Sequence, residues 1–253
     1  MVEIKILRNL KFLLPFGFML LTRILLFSSS DLHSQDLQET RPGRKTIDVK
    51  NADVDYMERD MITGKDWHRL LGNVSFLHNN ITLTCDSAHY VPEKSQVTSF
   101  SKVHIKQGDT LDIYSDYLFY DGRSELAFAR GNVELIDKET HLYTDTINYD
   151  VKNRIARYED GGRITNAQNT LTSIIGIYYV SESLFHFKDS VKIVNPDYVM
   201  TADTMDYNTN SEISYFTGPT ELNGDSIYLY CEKGWYDTRN DVTTIWKNAM
   251  IDN

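Results

Sequence analysis

An all-β fold is predicted for this 253-residue chain by three observations: a tyrosine that returns at nearly constant spacing, apolar residues that alternate with period two, and a polar break after each tyrosine. The tyrosines are Tyr90, Tyr120, Tyr149, Tyr178, Tyr207 and Tyr236, at successive intervals of 30, 29, 29, 29 and 29 residues. A period of this length marks one supersecondary unit stacked on copies of itself. No window carries apolar residues spaced by three and four over a helical length, so each unit is strand, turn, strand.

The elements of the unit follow in chain order. Each opens on an alternating pair, Val74 with Phe76, Val103 with Ile105, Val133 with Leu135, Val191 with Ile193, and a weaker Thr220 with Leu222. Such alternation is the pattern of a half-buried strand. Seven residues before the tyrosine stands an apolar side chain, Leu83, Ile113, Leu142, Leu171, Met200 or Leu229, and two residues later a small one, Cys85, Ser115, Thr144, Ser173, Ala202 or Cys231. A spacing of two places both on one strand face.

Four residues before the tyrosine come Asp86, Asp116, Asp145, Ile174, Asp203 and Glu232, an acid in every unit but the fourth. Ahead of this position the apolar and small side chains lie at odd offsets; behind it Ala88, Leu118, Ile147, Met205 and the tyrosines lie at even offsets. A strict period-two strand cannot do that. The buried face must flip near the acid, through a β-bulge or a corner between sheets. The acid is expected to accept hydrogen bonds from backbone N–H groups left unpaired at the bend. A ladder of calcium ligands would need clustered oxygen donors of the DxDxDG kind, which the sequence lacks. In the fourth unit, LTSIIGIYY, Ile174 marks a bend, a lateral opening or drift.

After the tyrosine, the breaks VPEKSQ from Val91, DGRSE from Asp121, DVKNR from Asp150, NTNSE from Asn208 and DTRND from Asp237 supply turn geometry. Return strands then carry Val97 and Phe100, Leu126 and Phe128, Ile155 and Tyr158, Ile213 and Phe216, and Val242 and Ile245.

Residues 1–34 stand outside the array. Lys5, Arg8 and Lys11 precede an apolar run from Phe12 to Phe27 interrupted by Pro15, Thr22 and Arg23, and a polar stretch follows. This is the pattern of a signal peptide, with cleavage expected after Ser34 and Ser30 as the rival site. Retention as a membrane anchor is the alternative, although the run is short against the roughly 20 apolar residues of a bilayer span. Residues 35–46 have the composition of a solvated linker, and 47–253 form a single repeat domain. Loss of residues 1–34 moves the formal charge from −10 to −12. So acidic a protein is a poor partner for nucleic acid, whose phosphates draw on clustered Lys and Arg.

Cys85 and Cys231 hold the same register position five units apart. At about 4.8 Å per strand or more they lie beyond roughly 24 Å, whereas a disulfide needs Cα atoms within about 7 Å. Two free, buried thiols are therefore expected. Catalytic signatures are lacking: there is no HExxH, GxSxG, GxGxxG, P-loop or CxxC. The histidines, His33, His68, His78, His89, His104, His141 and His186, form no close pair at metal-ligand spacing. No enzyme, metal site or cofactor is expected.

The opening IDVKNADVDYMERD from Ile47, the GNV motifs at Gly72 and Gly131, their partial echoes SKV at Ser101 and DSV at Asp189, and the recurring acid-to-tyrosine strands resemble the OstA or LptA family of lipopolysaccharide-transport proteins. The resemblance covers nearly all of residues 47–253. It implies a repetitive antiparallel β-jellyroll, a folded sheet open along one edge, here built from about six 29-residue units. It also implies a periplasmic bridge that binds lipopolysaccharide and shields its acyl chains between inner and outer membrane. Partners would be lipopolysaccharide, inner- and outer-membrane components of the transport machinery, and further copies of the chain stacked head to tail.

On that reading the acyl trough is lined by Val74, Phe76, Leu83, Val103, Ile105, Ile113, Val133, Leu135, Leu142, Leu171, Val191, Ile193, Met200, Leu222 and Leu229. The small side chain in each unit would leave volume for a ligand that a close-packed core would fill. For each residue, ordinary core packing is the competing role. An open sheet leaves unpaired edges that invite strand addition, so the docking edges are expected at 47–54, with Ile47, Val49 and Val54, and at 246–251, with Trp246, Met250 and Ile251. Two other classes compete: a structural, self-assembling β-solenoid filled by its own side chains, and a polysaccharide-acting β-helix enzyme, for which a localised acid and base cluster is missing.

Overall fold

The computed structural model describes residues 46–252 except 63, 65, 139, 166–169, 238 and 241. The signal peptide expected at residues 1–34 and all of the expected linker but Thr46 lie outside the described residues. Among the described residues eighteen strands form one antiparallel sheet. β1 (Asp48–Asn51) and β2 (Val54–Arg59) both pair with β3 (Asp66–His78). β4 (Ile81–Val91), β5 (Gln96–Gln107), β6 (Leu111–Asp121), β7 (Leu126–Asp137) and β8 (Thr140–Asp150) continue as a meander. β9 (Ile155–Tyr158) and β10 (Gly162–Thr165) share β8, and β11 (Thr170–Ser173) and β12 (Ile175–Tyr179) share β13 (Leu184–Asn195). β14 (Tyr198–Asn208), β15 (Ile213–Gly224) and β16 (Tyr228–Asp237) follow, and β17 (Val242–Trp246) and β18 (Met250–Asp252) both close on β16.

The expected flip of the buried face is present in every long strand. Register shifts fall at Leu71/Val74, Thr84/Ser87, Phe100/Val103, Tyr114/Tyr117, Arg130/Val133, Lys188/Val191, Ala202/Thr204 and Thr217/Thr220. The chain turns there through two successive left-handed residues: Gly72 and Asn73, Ser101 and Lys102, Gly131 and Asn132, Asp189 and Ser190, and Lys247 and Asn248. The first four are the GNV motifs and their partial echoes. Glycine carries no Cβ penalty at positive φ, and Asn, Asp and other short polar residues tolerate it best among the rest. The sheet folds along this line of corners, so that residues before and after each corner face one shared interior. A single apolar cluster fills it, drawing on both halves of the strands.

The acid column works at the same corners, through donors other than those expected. Asp116 accepts from the Asn132 side-chain amide (2.7 Å) and Glu232 from that of Asn248 (2.6 Å), Asp86 pairs with Lys102 (3.2 Å), and Asp53, which stands ahead of the first unit and outside the column, accepts from Asn73 (2.9 Å) in the same way. The carboxylate thus ties one strand to the corner pair of the next by side-chain donors. Ile174 also lies at a corner: its N–H donates to the Asp189 carbonyl (2.9 Å) and its carbonyl accepts from Gly161 (2.9 Å). The backbone makes the tie there, and the side chain is 46% exposed.

The small column has a structural cause as well. Ser115 Oγ donates to the Tyr117 carbonyl (3.1 Å) and Ser173 Oγ to that of Ile175 (3.0 Å), while Thr144 Oγ1 lies between the carbonyls of Gly161 (2.7 Å) and Thr146 (3.2 Å). A short hydroxyl satisfies a carbonyl that the bulge has taken out of the ladder. These hydroxyls serve the corner, which weakens the inference that small residues keep space for a ligand.

At the other end of the strands, Ser95, Glu125, Arg154 and Ser183 hold positive φ. Their carbonyls accept the N–H groups of Gly122, Val151, Val180 and Thr209 at 2.8–3.0 Å. Successive turns are thereby stacked about one unit apart. Among the described residues, β1 and β2 pair only with β3, and β17 and β18 only with β16, so both ends of the sheet are open edges. No helix among them is long and apolar enough to cross a membrane.

Candidate functional site

The trough candidates come together in one line. Phe76 faces Leu83, Leu83 faces Ile105, Ile105 faces Ile113, Ile113 faces Leu135 and Leu135 faces Leu142. Leu142 then faces Ile164 and Ile164 faces Leu171; Ile193, Met200, Leu222 and Leu229 continue the line. A second lane pairs Val74 with Cys85, Val103 with Ser115, Val133 with Thr144 and Val191 with Ala202. All fifteen candidates point inward. None is more than 5% exposed save Leu171, which is partly buried against the cluster.

The apolar line reaches both edges: Val49 pairs with Phe76 at one end and Ile251 with Leu229 at the other. At about 4.8 Å per strand it runs roughly 60 Å. Val49 and Met250 are 40% and 50% exposed, Val54 is exposed, and Trp246 and Ile251 are half-buried. Ile47 departs from the docking-edge expectation: its side chain is 3% exposed inside the core and its carbonyl accepts the Tyr90 hydroxyl (2.8 Å). Ile164 is a lining residue that the pair-by-pair sequence reading passes over. It stands 29 residues from both Leu135 and Ile193, so the period alone reveals it.

The interior is filled by its own side chains where they meet most closely. A void of about 10 Å³ survives among Ile47, Phe76, His78, Ile81, Leu83, Ile105 and Tyr120, room for about one water molecule. A larger open groove of about 650 Å³ lies at the surface beside the β7–β8 corner, with Glu134, Tyr143 and Arg163 among its lining residues. The Arg163 guanidinium lies over the Tyr143 ring there, 4.8 Å from its centroid.

Opposite the line of corners, the two rims of the folded sheet meet with no strand pairing across them among the described residues. Side chains bridge them. The Tyr120 hydroxyl bonds His78 Nδ1 (2.6 Å), the Tyr149 hydroxyl donates to Gln107 Oε1, and the Tyr178 hydroxyl donates to Asp137 Oδ2 (2.6 Å). Gln107 Nε2 also reaches the Val151 carbonyl (3.3 Å), and Asn79 Nδ2 the Glu125 carboxylate (3.2 Å). Burial pushes the Tyr120, Tyr149 and Tyr178 hydroxyls far above the ordinary phenol range; for Tyr178 the hydrogen bond to Asp137 adds to this. Neutral hydroxyls are thus held as donors. The tyrosines are scaffold, as their periodicity suggests. Their partners His78, Gln107 and Asp137 are legible only as a second polar column at intervals of 29 and 30.

Four of the seven histidines make cross-strand pairs with carboxylates, His68 with Asp55, His104 with Asp112, His141 with Glu134 and His186 with Asp206, while His89 packs edge-on against Trp67 and Phe100 and His33 lies outside the described residues. Among the described residues no group of three or more His, Cys, Asp or Glu is placed to hold a metal ion. Cys85 and Cys231 are free and buried, as register predicts.

A search of curated proteins gives no match. Among solved structures, the crystal structure of LptH from Pseudomonas aeruginosa, described as the LptA homologous periplasmic component of the lipopolysaccharide transport device, is similar at 15% identity. The likeness covers 42% of this chain and 81% of that one, with a TM-score of 0.38. The profile of the family described as OstA-like protein matches residues 45–203, more than half of the chain. These residues span the chain from β1 into β14, with most of the corners, of the acid column and of the apolar line, and the protein belongs to the OstA-like family.

Proposed function

We propose that this protein is a periplasmic lipopolysaccharide-binding bridge that shields acyl chains on the way from the inner to the outer membrane. The observation that carries the reading is the apolar line running from one open sheet edge to the other. An acyl chain of about a dozen carbons loses roughly 10 kcal/mol of burial when exposed to water, at about 0.8 kcal/mol per CH₂. A continuous apolar interior lowers that barrier with no catalytic group. The open edges, with Val49 and Val54 at one end and Met250 at the other, suit strand addition by another copy or by a related domain in each membrane. Such stacking would carry the line past the end of a single chain. Residues 1–34 would direct export as a signal peptide or stay as an anchor. An acidic protein fits a lipid held through its chains, with the headgroup phosphates left in solvent.

The tightly filled interior favours a second reading, a structural solenoid that takes no lipid. Photo-crosslinking amino acids at Leu142 and Met200 separate the two. The conduit predicts lipopolysaccharide adducts in cells from both positions, together with lipid that copurifies and is identified by mass spectrometry. Silence at both positions, with protein free of lipid, leaves the solenoid. Proline or lysine at Val54 and Met250 should abolish self-association and partner binding; if both persist, edge docking is wrong.

A further inference from the structure

The side opposite the corners is built differently from the rest of the molecule. Elsewhere the halves of the sheet are joined by continuous strands, and at the corners those strands pass through paired left-handed residues such as Gly131 and Asn132. Across the rims the ties named above are made by side chains: Tyr120 to His78, Tyr149 to Gln107, Tyr178 to Asp137 and Asn79 to Glu125. The two sides differ in kind. One is a backbone hinge, and the other is a row of contacts that side-chain rotation can undo.

At the Tyr178 end of this row are two buried polar atoms with no protein partner, Asp137 Oδ1 and Arg154 Nε. Asp137 is 6% exposed, and its other oxygen holds Tyr178. Arg154 lies beside the same tyrosine: its carbonyl accepts the Val180 N–H, and Ala156, two residues on, faces Tyr178 across the ladder, so the acceptor and the donor sit by the same stretch of seam. A buried carboxylate oxygen and guanidinium N–H left unmatched are costly. A hydroxyl or amide group answers both at once, because it donates and accepts.

The geometry points to the rim-to-rim seam as a lateral way in for the ligand, latched by the tyrosine pairs, with Asp137 and Arg154 as the station that takes the hydroxyl or amide of an incoming acyl amphiphile. This rests on the conduit reading and adds a route and a chemical preference to it. The chain tips in sideways as the two half-sheets part about the corners, and the ligand's polar group exchanges for seam contacts near Tyr149 and Tyr178.

A reversible lock tests it. In the full chain, with Cys85→Ala and Cys231→Ala, the surface pair Asn79→Cys and Glu125→Cys is bridged by a cleavable dithiol-reactive linker. Ala202 already occupies the same register slot as the two cysteines, so the background should fold. Uptake of pyrene-labelled hydroxymyristate is followed by fluorescence in locked, cleaved and unbridged protein. The seam predicts at least tenfold slower uptake when locked, restored by cleavage. Tyr120→Phe and Tyr149→Phe should each speed uptake about fivefold, the worth of one neutral hydrogen bond. Hydroxymyristate should be preferred over myristate several-fold, and Arg154→Met should erase the preference.

Equal uptake by locked and cleaved protein overturns the lateral route and leaves the ends of the array as the way in, with the conduit itself intact. Binding without discrimination between the two acids removes the polar station. No uptake in any form sinks the conduit reading and the route with it.

Discussion

Gly176→Ala should be among the most damaging single methyl additions in this protein. Gly176 stands directly across the ladder from Tyr158, whose ring lies flat over it and over Gly162. A Cβ at position 176 would fall closer than 3.0 Å to the ring and hydroxyl of Tyr158. Tyr158 has little freedom to retreat, being 2% exposed with its hydroxyl 2.6 Å from Ser173 Oγ. Overpacking of this kind costs about 1–3 kcal/mol, and shifting the ring also forfeits a buried hydrogen bond worth about 1 kcal/mol. The expected loss is therefore about 2–4 kcal/mol, read from urea unfolding as a lower midpoint at unchanged slope. In melting temperature it amounts to about 5–15 °C for a domain of this size. Tyr158→Leu should relieve the clash, so the double variant should be more stable than the sum of the singles by about 1–3 kcal/mol. A cost below about 1 kcal/mol, or additivity within about 0.5 kcal/mol, would refute the packing argument.

Alkali should unfold the protein steeply. Burial holds the phenols of Tyr120, Tyr149, Tyr178, Tyr198 and Tyr207 far above their ordinary range, and that of Tyr158 up to about 12. A raised folded-state value gives stability that is complete below the unfolded value near 10 and is lost as pH rises towards the folded one, at about 1.4 kcal/mol per pH unit for each tyrosine. Tyrosinate absorbance of these residues should rise together with loss of the β-sheet circular dichroism; ionisation with the sheet intact would contradict it. Cys85 and Cys231 should resist thiol reagents at neutral pH until urea is added, because burial raises both thiols, that of Cys231 to about 11. Rapid labelling of folded protein would contradict the buried placement. At the corners, Ser101→Gly should stabilise by up to about 1 kcal/mol by removing a side chain from positive φ, whereas Gly218→Ala, at φ +107, should cost about 1–3 kcal/mol. Urea midpoints moving the opposite way would show that the corner dihedrals do not govern these positions.

What the sequence reveals is the part of the fold that local periodicity encodes. Alternation identifies the strands, and its change of parity locates the corner to within a residue or two, because a bulge must move every later side chain to the other face. The small column illustrates the limit: Ser115, Thr144 and Ser173 look alike whether they leave room for a ligand or satisfy a bulge carbonyl, and only the hydrogen bonds decide. Ile164 escapes pairwise reading because its alternating mate is Gly162, and that glycine is there to admit the Tyr158 ring. Ile47 looks like a free edge residue until the Tyr90 hydroxyl, 43 positions away, takes its carbonyl. The seam partners are hidden for the same reason. His78, Gln107 and Asp137 meet tyrosines 41 or 42 residues later, a separation fixed by how far the sheet folds and how its rims stagger.

The choice of tyrosine in the first four units follows from two demands at one position. The rim needs a side chain large enough to seal an apolar interior against water and a polar end able to reach the opposite rim. Phenylalanine would meet the first demand and leave His78 Nδ1 or an Asp137 oxygen buried without its hydroxyl partner, at about 1–3 kcal/mol each. Serine or asparagine would meet the second and open a gap beside the apolar line. Tyrosine does both, and its hydroxyl is kept protonated by the burial that the ring itself provides. A shut seam is what an interior of this length requires in water when nothing occupies it. If the interior carries acyl chains, the same tyrosines decide when it opens, because each stabilises the closed form by only about 1 kcal/mol. That is small against the roughly 10 kcal/mol that a buried chain of about a dozen carbons supplies.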